Sequence, residues 1–310
     1  MKPTLTHTHI TIAVFLMILI VTACSSHLTE SQEEMDMVPS HTLIIAHRGA
    51  RSLAPENTLA SAQKALQVGA DLWELDVAVT ADNELVVMHD DTLERTCNAL
   101  DVFPDRDPWN VWDFTLAEIQ TLDCGSWFNQ QDPFEQIKAG NISQDDQQSY
   151  IGEPAPTLQE ALEFTRDNNW RVNVELKKQP NAELDQVIVQ KTVKLIESLG
   201  MDTGGQVVIS SFHHDYLRTV KGLNPAIPTQ AITKYFISDL PAYLADLGAE
   251  AVNPKITVWN FKSIAKLQEQ GVDFNVWTVN DELEMKALIN TGVQGIITDF
   301  PQLLKKMLDE

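Results

Sequence analysis

Residues 47–90 read HRGARSLAPENTLASAQKALQVGADLWELDVAVTADNELVVMHD, and this stretch carries most of the information on fold and function. It opens with a His-Arg pair directly after an apolar run and closes with His89 at the end of a second apolar run. Glu74 and Asp76 lie two residues apart on a predicted strand, so both side chains point to one face of it. Two histidines, an arginine and two carboxylates this close together indicate metal-assisted acid–base chemistry at a phosphate or a similar anion.

The length and charge of the chain limit the classes of function. Its 310 residues suffice for one large α/β domain or two ordinary domains with full hydrophobic cores. The formal net charge is −22, from 44 acidic side chains against 22 lysines and arginines. No basic stripe is present to replace phosphate counterions, which argues against nucleic acid as a partner. An anionic substrate therefore needs a local positive site, such as a metal ion, an arginine or a lysine.

The N-terminal segment has the pattern of an export signal. Lys2 gives a weak positive charge, and the apolar run 10–21 is too short and too near the start for a comfortable membrane span. The following residues 21–24, VTAC, resemble the lipobox of bacterial lipoproteins. This resemblance implies cleavage before Cys24 and diacylation of its sulfur. An ordinary secretory signal with a chance cysteine, or a signal anchor, is the alternative.

The lipoprotein interpretation divides the chain into three parts. We expect a signal peptide over 1–23, a flexible polar tether over 24–40 and one catalytic domain over 41–310. Ser25 stands where lipoproteins of the inner membrane carry a retaining aspartate. In a Gram-negative cell the protein would therefore be anchored at the periplasmic face of the outer membrane.

Two further cysteines would then lie in an oxidising compartment. Cys97 and Cys124 are 27 positions apart in one irregular region of the sequence. A disulfide between them and a pair of buried free thiols are both consistent with this spacing.

Short β-branched runs alternate with amphipathic helical patterns along the rest of the chain, and this alternation predicts a parallel sheet. The predicted strands are 43–47, 71–79, 84–89, 171–176, 206–211, 228–233, 249–253, 273–278 and 295–299. The predicted helices include 57–68, 181–199, 260–270 and 281–290. Asn57 and Asn280 are candidate helix N-caps, and residues 157–160 have the form of a capping box.

Nine strands are one more than a (β/α)8 TIM barrel contains. About four residues, 81–84, join the second predicted strand to the third, whereas a parallel crossover needs roughly a dozen or more. These two strands must therefore form an antiparallel hairpin, whose turn places residue 89 opposite residue 75. The sequence thus predicts an α/β TIM barrel with a β-hairpin finger at the carboxyl-terminal mouth, where barrel active sites lie.

The segment from about 98 to 156 interrupts the strand–helix rhythm. A loop of this length is usually functional or an inserted subdomain. Because it follows His89, we expect this insert beside the mouth, where it would form part of the leaving-group side of the pocket.

A series of short motifs carries a more specific signal. These are His47-Arg48-Gly49-Ala50, Pro55-Glu56-Asn57-Thr58, Gly69-Ala70-Asp71, Glu74-Leu75-Asp76-Val77, Thr80 with Asp82, Val86-Val87 through His89-Asp90, Arg95-Thr96, Val174-Glu175-Leu176-Lys177, Ser210-Ser211-Phe212, Trp277-Thr278-Val279-Asn280 and Ile296-Ile297-Thr298-Asp299. In this order they resemble the glycerophosphodiester phosphodiesterase family over about residues 43–305, apart from the insert. The resemblance implies a TIM barrel, a divalent cation, commonly Ca²⁺ or Mg²⁺, and hydrolysis of glycerophosphodiesters to sn-glycerol 3-phosphate and an alcohol.

The resemblance also implies roles for individual residues. Glu74, Asp76 and Glu175 match the metal-binding carboxylates of the family, and carboxylate-rich oxygen sites suit hard cations. His47 and His89 match its acid–base pair. The alternatives are carboxylates held by arginine and histidines packed in the core.

Four more residues are expected at the substrate. Arg48 and Lys177 would hold phosphate oxygens and offset developing charge, unless they form structural salt bridges. Glu56 would lie near the metal or the substrate hydroxyls, unless it serves a salt bridge or a helix start. Trp277 would form a wall for glycerol or the leaving group, or would pack in the barrel.

Three residues near strand ends are expected to lie outside the chemistry. His213 and His214 are interpreted as surface or helix-start residues. Asp299, at the end of the last strand, is interpreted as a structural or helix-capping residue.

Other functions stay open at this point. A phospholipase-D-like enzyme or another phosphodiesterase on the same barrel would share two histidines and several carboxylates. An exported lipoprotein that only captures phosphodiesters is disfavoured, because capture does not need two proton-transfer groups. A glycosidase is disfavoured too, because Glu74 and Asp76 are too close to flank a sugar bond from opposite sides. The sequence leaves open which histidine is the base, the nucleophile, the alcohol and the oligomeric state.

Overall fold

Nine strands form the sheet in the part of the chain that the structure, a computed structural model, describes, residues 42–310. They are β1 (Leu43–Ala46), β2 (Leu72–Val79), β3 (Leu85–Val87), β4 (Val172–Leu176), β5 (Val207–Ser211), β6 (Thr229–Thr233), β7 (Ala251–Pro254), β8 (Asp273–Val276) and β9 (Gly295–Thr298). Every predicted strand is present, with bounds within two residues of the prediction. The predicted signal peptide, the tether and Cys24 lie outside the described residues.

Helices follow most of the strands. The α-helices are α1 (Leu59–Gln67), α2 (Ala99–Val102), α3 (Leu116–Ile119), α4 (Ser126–Gln131), α5 (Gln144–Ser149), α6 (Leu158–Asp167), α7 (Ala182–Ser198), α8 (His214–Leu223), α9 (Leu240–Leu247), α10 (Phe261–Gln268), α11 (Glu282–Thr291) and α12 (Pro301–Asp309), and a 3₁₀ turn covers Val111–Asp113. Within residues 42–310 no helix combines the length and the apolar character needed to cross a membrane.

The parallel strands close into a TIM barrel. Strand β1 pairs in parallel with β2 on one side and with β9 on the other, and the remaining neighbours follow in the order β9-β8-β7-β6-β5-β4-β2. Strand β3 lies outside this wall and pairs antiparallel with β2, with Val77 opposite Val87. This register sets residue 89 level with residue 75, so both the eight-stranded barrel and the hairpin finger are confirmed.

Two of the three predicted caps differ in the structure. The capping box at Thr157 is confirmed. Asn57 is not an N-cap, since Thr58 caps α1 and the Asn57 amide binds Asp76 instead. Asn280 is not one either, because the next residue, Asp281, caps α11. Both asparagines have polar partners at the barrel mouth, which the local sequence does not reveal.

The barrel and its insert have separate apolar cores. The larger core joins the outward-facing strand residues to the surrounding helices, and within it the rings of Trp73 and Trp170 stack at 6.3 Å. A smaller core of 13 buried residues, which include Val86, Met88 and Phe114, lies between the hairpin finger and the insert. The structure joins Cys97 to Cys124 by a disulfide in this smaller core. The insert therefore packs on the back of the finger that carries His89.

Candidate active site

The register of neighbouring strands brings the predicted site residues to one level of the barrel. Ala46 on β1 pairs with a residue on β2 and with Thr298 on β9. The residues that follow or adjoin these positions, His47, Glu74 and Asp299, therefore lie side by side at the mouth. On the other side of β2, Asp76 pairs directly with Glu175 of β4.

Three carboxylates form the centre of the site. Glu74, Asp76 and Glu175 offer oxygen atoms that all lie within 4.8 Å of one another, and all three side chains are almost wholly buried. Burial, followed by the charges of its two neighbours, raises the pKa of Glu74 well above its ordinary value. Burial and Asp76 raise the pKa of Glu175 in the same way. Three buried carboxylates this close together are an arrangement that could hold a cation.

Two positively charged side chains lie next to Asp76. The Arg48 Nε atom is 3.3 Å and the Lys177 Nζ atom 3.6 Å from Asp76 oxygens, and Lys177 is also 3.2 Å from Glu175. The Asn57 amide donates a 2.9 Å hydrogen bond to Asp76. Burial raises the pKa of Asp76, but Lys177 and Arg48 outweigh burial and hold it below its ordinary value. Of the three carboxylates, Asp76 is therefore the one whose ionised form the neighbouring side chains already stabilise.

His47 forms a dyad with Asp299. Its Nδ1 atom lies 2.6 Å from Asp299 Oδ1, and Asn280 donates a 2.8 Å hydrogen bond to the other carboxylate oxygen. Burial raises the pKa of Asp299, but the hydrogen bond from His47 outweighs it and lowers that pKa to about 2. Because the carboxylate is ionised, Nδ1 carries the ring proton and Nε2 is left as an acceptor. Burial and the charge of Arg48 lower the pKa of His47 below 6.5.

His89 has the same arrangement on the hairpin finger. Its Nδ1 atom lies 2.6 Å from Oδ1 of the next residue, Asp90, whose other oxygen accepts from Arg95. Burial raises the pKa of Asp90, but hydrogen bonds from His89 and Arg95 hold it below its ordinary value. The His89 side chain is 30% exposed against 14% for His47, so it is the histidine nearer to solvent.

The turn after β1 adopts a backbone conformation that is uncommon for side-chain-bearing residues. Arg48 and Asn57 have φ angles of 56° and 58°, in the left-handed region. This conformation directs the Arg48 backbone N–H to Glu74 at 2.8 Å, while the Asn57 side chain reaches Asp76. Gly49 follows with φ 79°, and a Cβ atom there would lie 2.3 Å from Ser61 Oγ. Such local strain is typical of functional sites.

Glu56 lies beneath the site and binds three guanidinium groups. Its carboxylate oxygens are 2.8 Å from Arg48, 2.7 Å from Arg51 and 2.6 Å from Arg95. The side chain is buried and does not line the main pocket. Glu56 therefore holds the arginines in place instead of facing the substrate space, which differs from the position we expect from the sequence.

A pocket of about 300 Å³ opens beside the carboxylates. It is lined by His47, Arg48, Glu74, His89, Asn173, Glu175, Lys177, Phe212, Ile232, Lys234, Asn253, Trp277, Thr278 and Ile297. The Trp277 indole donates a 2.7 Å hydrogen bond to the Asn253 carbonyl, and its ring meets Phe212 edge-on at 5.5 Å. No lining residue comes from 98–156, so the insert does not form a pocket wall, contrary to our expectation.

Comparison with known proteins agrees with this geometry. Residues 47–303 match the glycerophosphoryl diester phosphodiesterase family. The chain belongs to this family. A glycerophosphodiester phosphodiesterase from Bacillus subtilis is 34% identical over 275 residues, which cover 87% of each chain. One from Caldanaerobacter subterraneus is 36% identical over 268 residues, which cover 85% of this chain and 96% of the relative.

A solved structure of another phosphodiesterase agrees with the family assignment. An Oleispira antarctica phosphodiesterase in complex with the product sn-glycerol-3-phosphate superimposes with a TM-score of 0.71 at 28% identity. The match covers 87% of this chain and 98% of that structure. This member of the family is thus an enzyme, a phosphoric diester hydrolase.

The fold brings most of the predicted site residues of this phosphodiesterase into one place. His47, His89, Glu74, Glu175, Arg48, Lys177 and Trp277 line the pocket, and Asp76 lies directly behind them. The helix-capping interpretation of Asp299 is wrong, because Phe300 is the N-cap of α12 and Asp299 binds His47. The position of Asp299 immediately after a strand was the available signal. His214 is the first residue of α8, as expected for a helix-start residue.

Replacing Glu56 by glutamine should destabilise this phosphodiesterase by about 3–5 kcal/mol, because it removes the charge of a buried carboxylate that pairs with Arg48, Arg51 and Arg95. The arginines lower the Glu56 pKa from 4.5 to about 2 despite burial. The stability that this ionised group contributes is complete above pH 4.5 and is lost as the pH falls through 2. Denaturant unfolding at a series of pH values measures this effect. The difference in free energy of unfolding between wild type and Glu56→Gln should become smaller at acidic pH.

Glu84→Gln is the matched control for this prediction. Glu84 pairs with Lys191 on the surface, where both side chains are at least 40% exposed. Its replacement should cost less than about 1 kcal/mol. An equal loss of stability in the two variants would show that the arginine cluster does not depend on Glu56.

Proposed function

We propose that this enzyme hydrolyses glycerophosphodiesters to sn-glycerol 3-phosphate and an alcohol, with Ca²⁺ or Mg²⁺ as cofactor and His47 and His89 as the proton-transfer pair. The observation that carries the proposal is the arrangement of the pocket. Both histidines line it beside the carboxylate cluster, and each has its Nδ1 atom on an aspartate. The proposed product is the one bound in the structure of the Oleispira antarctica relative, sn-glycerol 3-phosphate.

The carboxylate cluster fits a hard divalent cation. Glu74, Asp76 and Glu175 are the residues that would hold it, since each offers an oxygen within 4.8 Å of the others. When bound, such a cation supplies Lewis-acid stabilisation of negative charge on phosphate oxygens. The raised pKa values of Glu74 and Glu175 support this assignment, because a cation would offset both the burial and the carboxylate repulsion that raise them.

The positive side chains contribute to binding of the diester. Arg48 and Lys177 line the pocket next to the carboxylates and are the groups there that suit phosphate oxygens. Three carboxylates would otherwise repel an anionic substrate. Glu56 keeps the Arg48 guanidinium in a fixed orientation, so that its position does not depend on the substrate.

The two histidines have environments that suit different roles. His47 is the more buried, and its lowered pKa keeps it neutral at pH 7 with Nε2 available to accept a proton from the nucleophile. His89 is nearer to solvent, where a leaving alcohol can depart, and its Nδ1 atom is held by Asp90. We therefore assign His47 as the base for the nucleophile and His89 as the acid for the leaving alcohol.

A substrate panel with product analysis tests the proposal. The compact unit 41–310 should release sn-glycerol 3-phosphate from glycerophosphocholine, glycerophosphoglycerol and glycerophosphoinositol in the presence of Ca²⁺ or Mg²⁺. Activity on lysophospholipids alone would favour the phospholipase-D-like alternative. Calorimetric binding of the diesters without any product would favour the binding-protein alternative.

Replacing Asp299 by asparagine should lower kcat by about 10²–10⁴-fold, because the proton on His47 Nδ1 loses its acceptor. Asn280 donates to one Asp299 oxygen, so an asparagine would keep its carbonyl there and turn its NH₂ group to His47. The imidazole would then hold its proton on Nε2 and could not act as the base. The measurement is kcat together with the pH profile of kcat/KM.

The pH profile separates this role from a purely structural one. Asp299 raises the pKa of His47, so its neutralisation should move the acidic limb of kcat/KM to lower pH. Metal affinity should stay close to that of wild type. An unchanged acidic limb together with wild-type kcat would exclude Asp299 as a positioning residue.

We also propose that the enzyme is exported and anchored by a lipid on Cys24 at the periplasmic face of the outer membrane. The support is the VTAC sequence at 21–24 after an apolar run. Cys24→Ala should move the protein from the membrane fraction to the soluble fraction, with the mass of two acyl chains lost from the N-terminus. Cys97→Ala is the matched control, and it should keep the membrane association. Equal membrane association of Cys24→Ala and wild type would refute the anchor.

A further inference from the structure

Half of the exposed large apolar side chains lie at one side of the barrel mouth. Among residues 42–310, eight large apolar side chains are exposed. Tyr235 and Phe236 directly follow β6, Phe261 begins α10 after β7, and Leu283 lies in the first turn of α11 after β8. Because β6, β7 and β8 are consecutive neighbours in the barrel, these residues form an arc along the mouth. We call Tyr235, Phe236 and Phe261 the aromatic rim.

Two residues of the rim lie on an ordered turn although their rings face solvent. Tyr235 is 79% and Phe236 66% exposed. The Thr233 hydroxyl accepts a 3.0 Å hydrogen bond from the Tyr235 N–H and donates a 2.8 Å bond to its carbonyl, which fixes the turn. The Phe236 ring also contacts the buried Trp259 ring at 5.6 Å. Exposed apolar groups that are gathered at one place, instead of scattered singly, mark an interaction surface.

Positive charge accompanies the aromatic rim in a chain that is strongly acidic. Lys234 follows β6, Lys255 follows β7 and Lys262 is the second residue of α10, and none of the three has an ion-pair partner among the described residues. The Lys234 Nζ atom lies 4.7 Å from the ring centre of Phe212, and both residues line the pocket, so the rim continues into it. Glu282 and Glu284 flank Leu283, and the exposed Asp239 caps α9, so acidic residues limit the positive surface on both sides.

We infer that the aromatic rim and its three lysines dock the barrel mouth on an anionic phospholipid surface. Tyrosine and phenylalanine next to lysine suit the membrane–water interface, where rings bury their apolar part and ammonium groups meet phosphates. A second copy of the chain is a poorer occupant, because a symmetric contact would oppose the same lysines. The inference is independent of the substrate and of the lipid anchor, and it directs the pocket towards the membrane.

Co-sedimentation of the unit 41–310 with vesicles tests the docking surface, because this unit lacks Cys24. Vesicles of phosphatidylglycerol should bind the protein at low ionic strength, and vesicles of phosphatidylcholine should bind it at least about tenfold less. The double variant Tyr235→Ser/Phe236→Ser should lose at least about tenfold in binding. Lys255→Gln/Lys262→Gln should lose a similar factor and abolish the preference for the anionic lipid. Lys234 stays unchanged because it lines the pocket.

Matched controls lie away from the mouth. Leu223→Ser changes a 48% exposed apolar residue at the end of α8, and Lys194→Gln changes an exposed lysine on α7. Both should bind vesicles as wild type does, and all variants should keep the thermal unfolding midpoint of wild type. Equal binding of wild type to both lipids, or wild-type binding by the lysine variant, would overturn the inference. A dimer that Tyr235→Ser/Phe236→Ser converts to monomer, without vesicle binding, would overturn it too and assign the rim to a second copy.

Discussion

Replacing His47 or His89 by alanine should lower kcat by at least about 10²–10⁴-fold, because each variant loses one of two proton transfers. The two losses should not add, since both groups act in one reaction. Metal affinity should be largely kept, because the carboxylates are untouched. The measurement is kcat for release of sn-glycerol 3-phosphate, with metal binding followed by calorimetry.

The two variants should differ in their response to the leaving group. If His89 protonates the leaving alcohol, a substrate with an acidic phenol as leaving group should recover much of the activity of His89→Ala but little of His47→Ala. His213→Ala is the matched control, because this histidine lies near the mouth but does not line the pocket. Turnover close to wild type in His47→Ala or His89→Ala would remove that residue from the acid–base pair.

Removing divalent cations with EDTA should abolish activity, and adding Ca²⁺ or Mg²⁺ should restore it. Glu175→Gln should weaken cation affinity by at least about 10²-fold. Mutation of a residue that only hydrogen-bonds to a metal ligand already lowers metal affinity by about 10–100-fold. Cation at about 100 times its Kd should also stabilise the wild-type fold by about 2.7 kcal/mol, which thermal unfolding measures without any substrate. Full activity and unchanged stability after removal of metal would refute the metal role.

Glu84→Gln is the control for the carboxylate. It changes one exposed glutamate on the hairpin turn and should leave cation affinity and activity unchanged. If Glu175→Gln bound the cation as tightly as this control, Glu175 would not be a ligand. The difference between the two variants therefore tests the site without relying on the general acidity of the chain.

Local patterns were sufficient for the elements and for much of the site. The four-residue link between β2 and β3 excludes a parallel crossover, so chain geometry alone removed one strand from the barrel wall. The period of two on β2 placed Glu74 and Asp76 together. These predictions hold because they depend on neighbours in the chain, where backbone geometry leaves few alternatives.

Local patterns did not predict which side chains from distant segments contact one another. Asn57 and Asn280 have the local pattern of helix caps, yet their side chains bind Asp76 and Asp299 across the mouth. Glu56 lies next to predicted site residues in the sequence, which suggests a contact with the substrate or the metal. In the structure its carboxylate binds three arginines from two segments instead. A side chain takes its strongest available partner, and which partners are available depends on the packing of the whole barrel.

The sequence by itself determined the strand and helix order, the barrel, the hairpin and most of the charged residues and histidines at its mouth. Only the tertiary structure decided which of these residues meet. It paired His47 with Asp299 through closure of β9 on β1, and it placed the insert behind His89 instead of in the pocket wall. Periodicity fixes the face on which a side chain lies, whereas contacts between residues about 250 positions apart arise only when the barrel closes.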